Sequence, residues 1–437
     1  MIAMLEHIKE IILDAQSGPL FTGTPRQTGL ACIPGKASII IGVRRSGKST
    51  VLNQEVDKWL SKGVLKENIF YINFFDDRLS GLKTIGLDIV LEAYYSLYPG
   101  KKNLETVYCF FDEIQVIPEW ESFIDRILRT ENVVVYLSGS SAKMLSKEMA
   151  TQMRGRALAW ELFPFSFKEY TGHQNLKNDL PLNTQQRLFI ENAFGEYWET
   201  GGFPEVAGME KHLRIKIHQE YYNSILFRDL IDRYDIPHPR ALNDLSRHLL
   251  ANVASMYSIN SLTGMLKSLG YGVPKSVIAE YISWFEDAYF LFTVRLYDAS
   301  YRRSNANSKK IYCIDHALVR SITPGILTNS GHLLENIVFL ALRRVTAEIW
   351  YYRTTGNREV DFIYRNKIGE PVLIQVCESI LIPGTRDREI KALRAAMQEL
   401  RITKGYIVTR NETEQITYPQ GIIAVMPAWK FLLESWE

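Results

Sequence analysis

Residues 37–50 read ASIIIGVRRSGKST, an apolar run that breaks into a loop bounded by two glycines. Within it, residues 42–49, GVRRSGKS, satisfy G-x-x-x-x-G-K-[ST] without a departure. The flanks suit the motif: Ala37 to Ile41 reads as a buried strand and Thr50 to Leu60 as a helix. Gly42 and Gly47 allow the backbone to curl until its N–H groups face a phosphate, and the following helix N-terminus adds its dipole. Arg45, Ser46 and Thr50 belong to the same candidate nucleotide-binding loop. Lys48 is placed to reach β- and γ-phosphates, and the Ser49 hydroxyl to ligate Mg²⁺. The expected ligands are therefore ATP and Mg²⁺.

A second signal stands downstream, at residues 106–115, TVYCFFDEIQ. Val107 to Phe111 suits a buried parallel strand, which sets Asp112 and Glu113 at its C-terminal end, where ligands of open α/β sheets bind. Asp112 is expected to hold Mg²⁺ and Glu113 to polarise the attacking water. A third strand, in residues 132–141, NVVVYLSGSS, breaks into small polar residues, and Ser138 or Ser140 is a candidate γ-phosphate sensor. Residues 68–77, NIFYINFFDD, suit a fourth strand. Strands alternating with helical stretches make this a doubly wound parallel α/β unit. Next come Arg154 and Arg156, flanking Gly155. Either reads as an arginine that reaches the γ-phosphate of its own or a neighbouring subunit, Arg156 foremost, or as a basic turn ending a helix. Residues 166–235 read as helices with a turn at Gly201-Gly202, in the place of a lid.

Composition bounds the rest. The chain has 437 residues, 46% hydrophobic and 23% charged, which suits several globular domains. A formal net charge of +2 gives no global attraction to nucleic acid or anionic lipid. Four dispersed cysteines, Cys32, Cys109, Cys313 and Cys377, argue against a zinc site or disulfide framework and suit a reducing compartment. The N-terminal stretch MIAMLEHIKEIILD reads as an amphipathic helix, and no apolar run approaches the ~18 residues that span a bilayer. The expected location is cytoplasmic, with no membrane partner.

Several pieces stand in one order: GVRRSGKST, FFDEIQ followed by Trp120, LSGSS, Gly155-Arg156 with LFPFSFKEY, GGFPE, ILFRDLIDRYDI, and GHLLENIVFLALRR before EVDF. Together they resemble a family of bacterial and archaeal AAA-type P-loop ATPases with a C-terminal domain of unknown function. The resemblance implies a winged helix and a restriction-endonuclease-like α/β fold in the C-terminal half, and assembly into a homo-oligomer. It divides the chain into a P-loop ATPase core at 1–165, a helical lid at 166–235, a winged-helix-like module at 236–312 and a nuclease-like domain at 313–437.

In the expected winged helix, Val277, Tyr281, Phe285 and Ala288 share one face and read as core. The other face carries Lys275, Ser276, Glu280, Ser283, Glu286 and Asp287, too acidic for a helix that reads bases. Any DNA binding is therefore expected to be weak and not sequence-specific, through LRRV, YRRS and GTRDR if these meet; an unknown protein is the alternative partner. In residues 357–379, NREVDFIYRNKIGEPVLIQVCES, the pattern suggests a β-hairpin. By the resemblance, Glu335, Asp361, Gln375 and Cys377 hold the four positions of a restriction-like metal site. Gln is a weak neutral ligand there and Cys does not replace a lysine. Glu378 points to the opposite face of the strand and Lys391 is the candidate substitute lysine. The site reads as degenerate. Three functions follow as expectations: an ATPase that moves C-terminal docking modules, an ATP-regulated nuclease, or a slow nucleotide-dependent protein-interaction switch.

Overall fold

The computed structural model describes residues 2–140, 153–298, 300, 303–304, 308–323, 329–434 and 436. Two compact units emerge, residues 1–162 and 163–437.

The first unit opens with α1 (Ile2–Ser17), whose Ile8, Ile11 and Ile12 are buried at helical spacing. Its sheet is made of β1 (Ala37–Ile41), β2 (Ile69–Asn73), β3 (Val107–Asp112), β4 (Val133–Gly139) and β5 (Ala157–Glu161), in the order β2-β3-β4-β1-β5. All neighbours are parallel. Helices α2 (Lys48–Ser61), α3 (Leu82–Ile85), α4 (Asp88–Leu97) and α5 (Trp120–Thr130) connect the strands. A parallel sheet covered on both faces needs strands apolar throughout, and β1 is buried at every position. One face packs Ile40, Phe110, Tyr136 and Leu162 against Val51, Leu52 and Val56 of α2. Phe110 and Tyr136 stack at 4.9 Å between centroids, worth about 0.5–1.5 kcal/mol beyond their buried area. The sequence pattern yielded four of the five strands. β5 escaped it because ALAWE is a short edge strand, half-buried throughout, whose four apolar residues lack the β-branched character of the other strands.

The second unit begins with α6 (Phe167–His173), α7 (Thr184–Thr200) and α8 (Lys211–Ser224), the last continuing into a π-helical stretch, Ile225–Ile231. A helix–strand–helix–helix–strand–strand run follows: α9 (Pro239–Ala251), β6 (Met256–Tyr257), α10 (Ile259–Ser268), α11 (Lys275–Asp287), β7 (Leu291–Leu296) and β8 (Lys309–Cys313). Then come α12 (His316–Ile322), α13 (Ser330–Val345), β9 (Ile349–Arg353), β10 (Glu359–Arg365), β11 (Pro371–Val376), α14 (Pro383–Leu400), β12 (Lys404–Thr409), β13 (Glu414–Tyr418), β14 (Gly421–Pro427) and α15 (Ala428–Leu433). Strands β6 to β14 join a mixed sheet in the order β13-β14-β12-β11-β10-β9-β7-β8-β6.

The hairpin expected at 357–379 forms as β10 and β11, with Phe362 opposite Ile374 and Arg365 opposite Pro371. Helix α7, in the stretch expected to form a lid, packs against α12 within this second unit. His316 bonds the Tyr197 carbonyl at 3.0 Å, and Asp315 accepts from the Gly202 N–H at 2.6 Å. Gly201 and Gly202 have no room for a side chain there, since a Cβ at Gly201 would lie 2.3 Å from Asp315 and one at Gly202 2.5 Å from the Phe165 carbonyl.

The expected core face of α11 holds at Tyr281, Phe285 and Ala288 and needs correction at Val277, which is only half-buried; Ile278 and Ile282 complete the buried face. Glu286 is not on the solvent face: burial raises its carboxyl, which accepts from the Thr293 N–H at 3.0 Å and hydroxyl at 2.6 Å.

Candidate functional site

The register of the first sheet builds the candidate nucleotide site. Phe111 pairs with Leu137, and Ile40 with Ser138, so Asp112, Ser138 and the loop after Ile41 share the C-terminal edge. In that loop Arg45 (φ 65°) and Gly47 (φ 99°) are left-handed. Left-handed residues within a turn direct successive N–H groups to one side, the geometry that cradles an anion. Gly42 is required for a different reason. A Cβ there would lie 2.1 Å from the Leu162 carbonyl oxygen, so β5 can close on the loop only against glycine.

Lys48 is buried, and its ammonium bonds the Gly42 and Val43 carbonyls at 3.2 Å and reaches Glu113 Oε1 at 3.4 Å. The Ser46 Oγ is buried and has no hydrogen-bond partner among the described residues. An orphaned hydroxyl inside a ring of N–H groups, beside a lysine, fits the phosphates of a nucleotide. Arg45 is exposed at the rim of the loop, and Thr50 is half-buried in the first turn of α2.

Asp112 is fully buried at the end of β3. Its carboxylate accepts from Ser138 Oγ and, at 3.2 Å, from the Tyr71 hydroxyl; Ser49 also bonds it. Burial pushes this carboxyl above the usual carboxylate range, and the hydrogen bonds from Ser138 and Ser49 pull the other way. An anionic oxygen bonded to the Ser49 hydroxyl fits a hard divalent cation held between the two residues. Glu113 is left-handed (φ 55°) and buried. Its carboxylate lies between Lys48 and the Gln115 amide, and that amide also contacts Ser140 Oγ at 3.4 Å.

Two sequence expectations change here. Ser138 accepts the Glu113 N–H at 3.0 Å while giving its one hydrogen to Asp112. With no donor left, it positions the two acids and does not sense a phosphate. Arg156 stands just before β5, whose first residue pairs with Ala37. It is thus at the N-terminal edge of the sheet, five strand residues or roughly 16 Å from the loop. There it pairs with Asp125 of α5 at 2.8 Å, out of reach of the γ-phosphate in its own subunit. Arg154 lies exposed in the same turn. Ser141 falls outside the described residues.

Two residues of the site, Tyr71 and Arg26, were not expected from the sequence. Arg26 donates to the Ser46 carbonyl from a segment tied to α2 through Asn53 and Gln54. Tyr71 carried a faint signal, a polar-tipped residue in the strand paired with β3.

In the second unit Glu335, Asp361, Gln375 and Cys377 all border one cavity of about 690 Å³. The Gln375 amide accepts from the Asp361 N–H at 3.3 Å and donates to Glu389 of α14 at 2.7 Å. Glu389 is a buried acid that the sequence reading missed. Cys377 packs into the core with Val360, Ile363 and Leu393, and burial pushes its thiol up to about 12. Lys391, the substitute expected from the sequence, is exposed and lies 3.6 Å from Asp387. The lysine of this site is another one. Lys310 of β8 is buried and contacts Glu335 at 2.8 Å, Glu359 at 2.9 Å and Asp361 at 2.8 Å. A lysine alternating with Tyr312 at the start of the strand KKIYC was the available signal; the Tyr312 hydroxyl also donates to Glu335, at 2.6 Å.

The basic segments form no patch in their described parts. Arg343 and Arg344 lie against Phe163 at 5.6 and 5.2 Å, Arg386 forks onto Glu414 at 2.6 Å, and Arg388 pairs with Glu389. Tyr301 and Arg302 of YRRS fall outside the described residues. No helix among the described residues is long and apolar enough to cross a membrane.

Comparison with known proteins gives three family matches: an AAA domain over residues 34–171, and two domains of unknown function, DUF8612 over 191–326 and DUF4143 over 330–431. The uncharacterized protein MJ1544 of Methanocaldococcus jannaschii is 33% identical over 418 residues, covering 93% of this chain and 90% of that one. An uncharacterized protein of Haemophilus influenzae is 29% identical over 347 residues, 78% of this chain and 82% of its own. Among solved structures, the Walker-type ATPase PABY2304 of Pyrococcus abyssi matches at TM-score 0.42 and 14% identity, over 65% of this chain and 90% of that one. AMPPCP-bound DnaA from Aquifex aeolicus matches at 0.26 and 12%, over 64% and 86%.

Proposed function

The chain belongs to the family of AAA-domain proteins in which two domains of unknown function follow the AAA domain, and we propose that it binds and hydrolyses Mg-ATP to move its C-terminal modules. The observation that carries the reading is the convergence at one sheet edge of a left-handed loop with an orphaned Ser46 hydroxyl, the Lys48 ammonium and the Asp112–Glu113 pair. The loop N–H groups and Lys48 would hold the phosphates, and Ser49 and Asp112 the Mg²⁺. Bound there, Mg²⁺ would neutralise charge on the phosphate oxygens. Glu113, fixed by its hydrogen-bonded N–H, would take a proton from the attacking water once its carboxylate leaves Lys48 and Gln115. Since Arg156 faces the wrong edge for its own site, an arginine contribution would come from a neighbouring subunit of a homo-oligomer.

The C-terminal half supports a docking role. The order α9-β6-α10-α11-β7-β8 would suit a winged helix, and α13-β9-β10-β11-α14-β12 a restriction-endonuclease-like core. The exposed residues of α11, among them Lys275, Ser276, Glu280 and Ser283, offer bases a single cation beside an acid, and with the paired arginines this favours a protein partner over DNA. Steady-state ATP hydrolysis, measured with and without single- and double-stranded DNA against Lys48→Ala as blank, tests both parts. Turnover above the blank and unchanged by DNA is expected. A rate equal to the blank refutes the ATPase, and a several-fold rise with DNA refutes the protein-docking preference.

A further inference from the structure

A restriction-like fold implies a divalent metal among its carboxylates, and the residues present do not fit one. We infer that Lys310 is the resident cation of this centre: its ammonium stands where the metal of such a fold would stand, and no divalent ion enters while it is there.

The geometry is that of a saturated ammonium. Lysine offers three N–H donors, and each finds a different carboxylate, on Glu335, Glu359 and Asp361, at 2.8–2.9 Å. A magnesium-type ion demands oxygens at ~2.0–2.1 Å in octahedral array and would meet the ammonium head-on. The remaining donor set is also committed. Asp361 Oδ2 accepts from the Val376 N–H at 2.9 Å, Glu335 Oε1 from Tyr312, and Gln375 is spent between Asp361 and Glu389. Among the described residues no group of three or more His, Cys, Asp or Glu is arranged to hold a metal. The ammonium gives the carboxylates a different use. β8 borders β7 and β6 in the sheet, not β10, so Lys310 ties the strand of one module to α13 and β10 of the next without a ladder hydrogen bond.

The inference rests on the nuclease-like reading only for where a metal would sit, and its test needs neither DNA nor nucleotide. The full chain is titrated with Mn²⁺, free ion being followed by electron paramagnetic resonance, as wild type, Asp361→Asn, Lys310→Met and Lys310→Met/Asp361→Asn. Ion bound equally by wild type and Asp361→Asn belongs elsewhere in the chain. Lys310→Met should gain one equivalent that the double variant lacks. It should also melt below wild type in chelator and recover with Mn²⁺. Wild-type Mn²⁺ binding that Asp361→Asn abolishes overturns the inference. So does a Lys310→Met chain that Mn²⁺ neither binds nor rescues.

Discussion

Ser138→Ala separates a positioning hydroxyl from a sensing one. The serine joins two residues of the nucleotide site by donating to Asp112 and accepting from the Glu113 N–H at 3.0 Å, all inside the protein. Removing it forfeits a hydrogen bond to a charged group, about 1.5–3 kcal/mol, and strands a buried N–H, about 1–3 kcal/mol. Partial relaxation into the space left brings the expected loss to ~2–4 kcal/mol in stability of the first unit, read by urea unfolding. The same N–H holds Glu113 in its left-handed conformation, an unfavourable one for a side chain. Freed from it, the carboxylate moves, and a displacement near 1 Å lowers turnover about 100-fold. The Mg²⁺ requirement should rise, because Asp112 loses its orienting donor. Preference for ATP over ADP, measured by competition with a fluorescent nucleotide, should stay unchanged, since Ser138 has no donor to give a γ-phosphate. Turnover at the wild-type level, or a loss confined to ATP-over-ADP preference, refutes this reasoning.

Gly42→Ala should abolish nucleotide binding and lower the melting temperature of the first unit, because the new Cβ overlaps the Leu162 carbonyl oxygen; binding within about twofold of wild type shows that β5 can withdraw. Glu335 yields a pH prediction: burial, then Asp361, pushes its carboxyl up to about 8 from an ordinary value near 4.5. A raised folded-state value means stability that is full below about 4.5 and is lost as pH rises through about 8. Glu335→Gln should therefore match wild type near pH 5 and gain on it up to pH 8.5, and parallel melting curves across that range count against it. Asp315→Ala removes the acceptor of the Gly202, Ala317 and Leu318 N–H groups, all buried, and should destabilise the second unit by ~3 kcal/mol or more in denaturant. A loss under about 1 kcal/mol shows that water replaces it.

The nucleotide loop was legible because its determinants are consecutive: two glycines, a lysine and a serine specify a turn whatever else the chain does. Three strands of the first sheet announced themselves as unbroken apolar runs ending in Asp112, Ser138 or the loop. The C-terminal half was legible as elements and partly as chemistry. Glu335, Asp361, Gln375 and Cys377 border one cavity. On helix α11 the expected Tyr281, Phe285 and Ala288 are buried and only Val277 was misread, because Val277 and Ile278 are adjacent and equally apolar, and only packing decides which turns inward.

What lay beyond the sequence depended on residues distant along the chain meeting in space. Lys310 lies 25 residues from Glu335 and 51 from Asp361, so no local pattern couples them. The sequence reading searched for a lysine on the next helix, whereas the sheet order supplied one from β8. Ser138 had the position of a sensor, and only the direction of its single hydrogen, set by Asp112 across 26 residues, makes it a positioning group. Arg156 follows the strand that ends near Ser138 closely in sequence, yet its place just before β5, in parallel register with β1, carries it to the opposite edge. Amino-acid order specified which chemistry the chain carries and where its turns fall, because those rest on neighbouring residues. Strand register and long-range ion pairing specified which groups meet, and so which chemistry remains free to act.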